Sequence, residues 1–403
     1  MLRALTRDGW LLFVTRFTRL FAYGALSVVL VFYLTSLGLS TSQTGMLLTL
    51  TLVGDTVVSL YLTTRADRIG RQRVLIVGAV LMALAGLAFA CTSNLVFLIV
   101  AGTIGVISPS GNEVGPFLPI EQAALSQVVP DRSRTAVLAW YTLAGSFATA
   151  AGSLCGGMLS HVLQRSAVTP LGSYRVVVLV YAALGVVLVV LFTRLSPAAE
   201  TSAPPTRFGI SRSRRVVLKL SGLFALDAFA GGFVVQSFAA YWFYLRFGVN
   251  PAALGAIFFW ANVLAGGSAL LASRLAARFG LVKTMVFTHL PSNILLILVP
   301  LMPTLPLAIL VLLVRFSISQ MDVPTRQSYT MAVVRPEERS AAAGITGVAR
   351  TTGAAIAPLF AGFMFARPAL MSVPFFIAGT LKIVYDLLLY KGFAAVQPPE
   401  EVR

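Results

Sequence analysis

The sequence predicts an all-α membrane protein of twelve transmembrane helices arranged as two six-helix bundles, and three observations predict it. Of 403 residues, 57% are hydrophobic and only 11% charged, where a soluble domain carries about a quarter charged residues. So few charges cannot cover a water-facing surface, which excludes extended disorder, a disulfide scaffold and a soluble enzyme of ordinary composition. The apolar residues gather into twelve runs, and a helix of about 20 residues crosses the hydrocarbon core. The Lys and Arg residues fall overwhelmingly into every second loop. The net charge of +17 therefore reads as topology and not as nucleic-acid binding.

Each run is helical because a backbone in lipid has no other hydrogen-bonding partner than its own chain. The first, 9–37, is too long for a signal h-region and no small-residue cleavage site follows it, so it stays as the first span. Runs 42–64 and 73–93 follow, with Arg65, Arg68, Arg71 and Arg73 between them. Run 95–128 differs. Between Ser108 and Pro119 it holds Pro109, Pro116, Pro119, Gly111 and Gly115, and a continuous helix is not expected there. Irregular backbone at membrane depth is tolerated where it lines a cavity or is buried in protein. Either the break lines a transport path with Glu113 pointing into it, or it is a kink that serves packing. Runs 135–163 and 173–195 complete the first half. The polar stretch 196–215, with Pro197, Pro204 and Pro205, reads as a linker. Runs 216–247, 251–276, 283–302, 305–333, 341–365 and 370–391 make the second half. The expected organisation is thus a bundle at 1–195, a linker at 196–215 and a bundle at 216–403. Cys91 and Cys155 lie inside apolar runs, where small packing residues are expected. His289 reads as a satisfied interface histidine.

Counting Lys and Arg loop by loop gives 21 on one side and 4 on the other (Arg165, Arg175, Arg246 and Arg367). Both termini and the linker are therefore expected on the cytoplasmic side. The halves also repeat. Phe32-Tyr33-Leu34 returns as Phe243-Tyr244-Leu245, Arg68 and Gly70 as Arg278 and Gly280, and Pro119/Gln122 as Pro324/Gln327. The order and near-constant offset point to a parallel duplication, a known transporter plan.

On these residues the chain resembles the major facilitator superfamily. The loop Arg65-Ala-Asp67-Arg68-Ile-Gly70-Arg71-Gln-Arg73 is similar to that family's D-R-x-G-R-R/K signature, with Thr63 where a leading Gly is usual. Gly152-Ser-Leu-Cys-Gly156-Gly157 resembles the antiporters' G-P-x-x-G-G motif, with Ser153 in place of Pro. Ala357-Pro358-Leu-Phe-Ala-Gly362 keeps the Pro. The fourth span lacks the Arg of the proton-antiporter subgroup. The resemblance implies the major facilitator fold and a conformational latch at Asp67, Arg68, Gly70 and Arg71. The alternative is that these Arg only set topology.

The functional reading rests on charges inside the apolar runs, which are costly in lipid and face a cavity or a partner. Arg16, Arg19 and Tyr23 share one face of the first span. The repeat makes Asp227 the counterpart of Arg16. Glu113 and Glu121 lie in the fourth span, Arg315, Asp322 and Arg326 in the tenth, and Arg350 in the eleventh. Arg16, Arg19, Tyr23, Glu113, Asp227, Asp322 and Arg326 are the candidate substrate contacts. Glu113, Glu121 and Asp227 are the candidates for proton coupling. Glu121 and Arg326 occupy equivalent repeat positions and face each other across the axis between the halves, either as a pair that forms in one state and breaks in the other or as a permanent structural ion pair. Lys382 and Asp386, four apart, are expected to pair. Asp55 lines the path or bonds to a neighbouring helix.

The leading expectation is a secondary active transporter of a small organic solute in the cytoplasmic membrane. It works as a monomer by alternating access, is coupled to protons, and exports. Import of an organic anion or carboxylate is the alternative, through the Arg residues. A non-transporting membrane scaffold or sensor, and a membrane-embedded enzyme, are the other classes. The first would not need charges in so many helices, and the second lacks a nucleophile, metal or cofactor constellation. No phosphate-binding Gly-rich loop with Lys-Ser/Thr occurs, and no cofactor, metal or nucleic acid is expected. The expected partners are the solute, the coupling ion and the lipid bilayer.

Overall fold

The computed structural model describes residues 5–129, 131–200, 213–335 and 338–393. All regular structure among them is helical, and each of the twelve apolar runs lies largely on helix. The first three spans are α1 (Arg7–Ser36), α2 (Thr41–Ile69) and α3 (Arg71–Cys91). The α1 start is capped by Thr6, whose hydroxyl accepts from the Gly9 N–H at 3.2 Å. The α2 start has a capping box between Ser40 and Gln43, two orphan donors satisfied reciprocally. Gly70, at φ +105°, makes the turn into α3, a conformation that disfavours any side chain.

The fourth run is broken as its composition requires, into α4 (Leu95–Ile104) and α5 (Phe117–Val128). Then come α6 (Asp131–Arg165) and α7 (Pro170–Phe192). The seventh run is divided into α8 (Arg214–Gly232) and α9 (Gln236–Phe247), followed by α10 (Pro251–Phe279) and α11 (Leu281–Leu298). The tenth run splits into α12 (Leu305–Phe316) and α13 (Asp322–Ala332), and α14 (Arg339–Phe365) and α15 (Val373–Phe393) close the chain. Only the fourth break is legible in the sequence. The tenth carries no central Gly-Pro cluster, and its Ser317–Met321 turn is made from ordinary residues. Nine helical stretches among the described residues are long and apolar enough to cross a membrane. The α4/α5 pair, α6 and the α12/α13 pair supply the remaining runs.

The chain forms two compact units. One comprises Met1–Pro205 with Gln236–Phe259, the other Thr206–Val235 with Trp260–Arg403. The segment 236–259, placed by sequence in the second bundle, thus packs with the first unit. Specific contacts hold it there. The Gln236 amide donates to the Ser27 and Ser153 hydroxyls at 2.8 and 3.0 Å, and Gly157 and Gly255 meet backbone to backbone.

In the first unit α1 is buried along most of its length against α6. Glycine allows this approach. A Cβ on Gly152 would lie 2.0 Å from the Phe21 carbonyl, and one on Gly156 2.6 Å from that of Ala25. The second unit repeats the device between α8 and α14, where a Cβ on Gly353 would fall 2.3 Å from the Ala225 carbonyl. Without a hydrophobic force between helices in lipid, small residues at the seam let dispersion do the work. Large apolar side chains such as Leu84, Phe97, Trp260 and Leu310 are more than half exposed, as a lipid-facing surface requires. Cys91 and Cys155 are free and exposed, a correction to the expectation that they serve as small packing residues.

Candidate functional site

The first unit holds a closed network of two arginines and two glutamates. Thr15, Arg16, Arg19 and Tyr23 line one face of α1. Arg19, fully buried, forks onto Glu121 of α5 through Nη1 and Nη2 at 2.8 and 2.7 Å. It also reaches Glu113 through Nη2 and Nε at 3.1 and 3.3 Å. Arg16 Nη1 donates to the same Glu113 carboxylate at 2.6 Å. Glu121 accepts further from the Thr15 hydroxyl at 2.9 Å and from the Tyr141 hydroxyl of α6. The guanidinium groups also lie over aromatic faces, Arg16 at 4.5 Å from the Tyr141 centroid and Arg19 at 4.6 Å from that of Phe117. A buried charge is tolerated only when paired and hydrogen-bonded, and this quartet meets that condition with no net charge.

The break between α4 and α5 brings Glu113 into the quartet, and its own backbone is satisfied from five helices, the Ser237 N–H of α9 donating to the Pro109 carbonyl at 3.1 Å. Tyr23 of α1 donates to the Val114 carbonyl at 3.2 Å, Thr149 of α6 to that of Gly111 at 3.2 Å, and Tyr181 of α7 to that of Val106 at 2.5 Å. Asp55 of α2 accepts the Gly115 N–H at 2.6 Å. Gly111 and Gly115 have φ of +70° and +81°, the reason two glycines stand there. Asp55 is buried, takes a second hydrogen bond from Ser59 at 3.2 Å, and has no cation within ion-pair distance among the described residues.

The second unit carries its own network. Asp227 of α8 accepts from Arg326 of α13 at 3.0 Å and from Lys382 of α15 at 2.5 Å. Asp322, one turn before Arg326, pairs with the same guanidinium at 3.1 Å. Asp386 is engaged by His289 Nδ1 at 2.8 Å and Asn293 Nδ2 at 2.9 Å. Asp227, Asp322 and Arg326 are brought together as candidate contacts of one site, and Arg16, Arg19, Tyr23, Glu113 and Glu121 as those of another.

One expected pairing is corrected. Glu121 and Arg326 each hold opposite charges within their own units. Lys382 and Asp386 do not pair; Asp227 attracts the amine, and the histidine and asparagine of α11 take Asp386. Sequence reasoning singled out neither Tyr141 nor Asn293, since neutral polar residues in apolar runs are common and give no charge signal.

At the Arg-rich loop, Arg68 is exposed and Arg71 buried. The Asp67 side chain and the linker residues 201–212 lie outside the described residues. The carboxylate that sits on a helix N-terminus here is Glu200, at the linker's start. It accepts the backbone N–H groups of Arg71 and Gln72 at 2.7 and 2.9 Å, where α3 presents orphan donors and a positive dipole end.

The family model described as Major Facilitator Superfamily matches residues 12–319. The chain is 31% identical, over 97% of its length and 95% of the relative's, to the uncharacterized membrane protein YJR124C of Saccharomyces cerevisiae. Among solved structures it is similar to a mutant form of the nucleoside transporter NupG at a TM-score of 0.73 and 13% identity, covering 96% of this chain and 100% of that one. It is also similar to a D-xylose-proton symporter at 0.71 and 14%, covering 95% and 97%.

Proposed function

The chain belongs to the major facilitator superfamily, and from that premise we propose that it is a proton-coupled secondary active transporter that exports a small organic solute by alternating access. It is a multi-pass membrane protein and a transporter, not an enzyme. The observation that carries the reading is the pair of buried charge networks hung on broken helices. Each is costly in lipid, and neither is needed to hold a passive bundle together, since hydrophobic replacements of a buried ion pair are often neutral or stabilising. A wet transport path is what such charges serve.

Export is supported by the Gly152–Gly157 motif on α6, and a cytoplasmic membrane with both termini inside by the Lys and Arg asymmetry. The chain acts as a monomer. Asp67, Arg68, Gly70 and Arg71, with Glu200 beside them, form the latch that holds one conformation closed. Among the carboxylates suited to carry the coupling proton, Glu113, Glu121 and Asp227 are all held by cations, so they are released for that role only when a conformational change or the substrate separates the pairs. Asp55, with no cationic partner among the described residues, is the carboxylate whose protonation breaks no ion pair.

The test is gradient-driven flux. Proteoliposomes loaded with a defined mixture of sugars, nucleosides, carboxylates and drugs are placed in a pH gradient, and efflux is followed by mass spectrometry. The expected result is depletion of one chemical class that a protonophore abolishes and Asp55→Asn removes. Folded, correctly inserted protein that moves nothing under either polarity overturns the reading.

A further inference from the structure

Asp386 of α15 is fully buried, and no Lys or Arg lies within ion-pair distance of it among the described residues. Its Oδ1 is 2.8 Å from His289 Nδ1 and its Oδ2 2.9 Å from Asn293 Nδ2, both on α11. An ionised carboxylate in a low-dielectric interior needs a counter-charge. Among the described residues, His289 is the side chain at ion-pair distance that can supply it.

The imidazole stands between two carboxylates. Nδ1 faces an acceptor at 2.8 Å and therefore carries a hydrogen. The Asn293 amide, 3.1 Å from Nδ1, then gives its hydrogen to Asp386 Oδ2. On the ring's other edge, Nε2 lies 3.8 Å from Asp227 Oδ1 of α8. A bare Nε2 there aims its lone pair at a carboxylate oxygen, whereas a protonated one meets opposite charge. Both edges thus suit an imidazolium. The neighbouring charges serve the other acids. Lys382 of α15 holds Asp227 Oδ1 at 2.5 Å, and Arg326 of α13 holds Asp227 Oδ2 at 3.0 Å and Asp322 at 3.1 Å. Arg350 of α14 and Arg315 of α12 bear on Asp227 from farther off, with no ion pair to it among the described residues. Tyr385 of α15 packs edge-on against the imidazole, with 5.9 Å between ring centroids.

We propose that His289 is a proton-binding residue of the second unit, an imidazolium clamped between Asp386 and Asp227, whose Nε2 proton is the dissociable one. The Nδ1 hydrogen is held in a direct hydrogen bond; the Nε2 hydrogen has the longer contact and is the one given up to water. Its loss leaves Asp386 without a counter-charge and turns a lone pair toward Asp227, so the tie from α11 to α8 and α15 loosens. Proton occupancy is thereby converted into helix position. Only the use of that proton in transport, as the second unit's complement to Asp55, rests on the transporter reading.

The chain has two histidines, so His161→Gln leaves His289 as the sole imidazole. The test is nitrogen NMR of this variant, full length, labelled with 15N-histidine and held in lipid nanodiscs. At neutral pH both ring nitrogens are expected to carry hydrogens. At alkaline pH the folded protein is expected to lose the Nε2 hydrogen and keep the one on Nδ1. Asp386→Asn retains an acceptor for Nδ1 and is expected to stay folded in a thermal scan, yet to show a neutral ring at neutral pH; Asp386→Glu restores the imidazolium. A bare ring nitrogen in the Asp386 protein at neutral pH overturns the proposal, whether or not Asp386→Asn folds. So does an Nε2 hydrogen that persists at alkaline pH, or an imidazolium unchanged in folded Asp386→Asn. An imidazolium in protein that moves no solute leaves the assignment standing and sinks the transporter reading. Proton-driven flux through protein whose His289 ring is neutral does the reverse.

Discussion

Arg19 makes four hydrogen bonds from its three nitrogens to two carboxylates, and Glu121 accepts four in turn. Removing one partner of a buried pair leaves the other uncompensated, which costs about 3–5 kcal/mol. Glu121→Gln is therefore expected to lower the unfolding temperature of the purified protein by many degrees. Asp55→Asn keeps an acceptor for the Gly115 N–H and is expected to leave that temperature nearly unchanged while abolishing proton-driven flux; a thermal scan and a flux assay check both. A double-mutant cycle applies the same logic to the second unit. Asp227→Asn strands the Lys382 amine, and Lys382→Met added to it is expected to recover stability, read as a non-additive pair. Which residues carry charge into the membrane was legible from composition alone. Which partner each one takes was not, because pairing depends on three-dimensional approach between runs a hundred residues apart, as Arg19 and Glu121 are.

The helix seams follow a simpler rule. Where a glycine touches a carbonyl of the facing helix, any side chain must force the helices apart. Gly152→Val on α6 and Gly353→Val on α14 are each expected to reduce the yield of folded protein severely. Gly267→Ala on α10, with nothing within 4 Å of its added Cβ, is expected to leave yield unchanged. Size-exclusion profiles of the three variants settle it. The Gly152–Gly157 stretch could be singled out in the sequence by its motif. The α8–α14 seam could not, since Gly232 and Gly353 stand in stretches with no such motif. Nor could the breaks at 233–235 and 317–321, which lack the proline density that announces the one after Ile104. There the chain ends a helix for tertiary reasons, to turn Gln236 toward Ser27 and to place Asp322 at the head of α13.

At the scale of the whole molecule, the alternation of basic and neutral loops predicts which surfaces face the cytoplasm. In a background with Cys91→Ala and Cys155→Ala, Arg73→Cys is expected to react with a membrane-impermeant thiol reagent only in inverted vesicles, and Ser166→Cys only in intact cells. Reversed labelling would invert the topology. The twelve runs and their order were readable because the bilayer imposes length and polarity on every span. The grouping of 236–259 with the first unit was not, because it depends on a few hydrogen bonds and one glycine contact. The irregular stretch between α4 and α5 has a mechanical corollary. Five helices each grip one of its peptide groups, so none of them can tilt away alone without stranding a donor or acceptor in hydrocarbon. That stretch behaves like a keystone. The five helices must swing as one block, and the peptide groups they share travel with them.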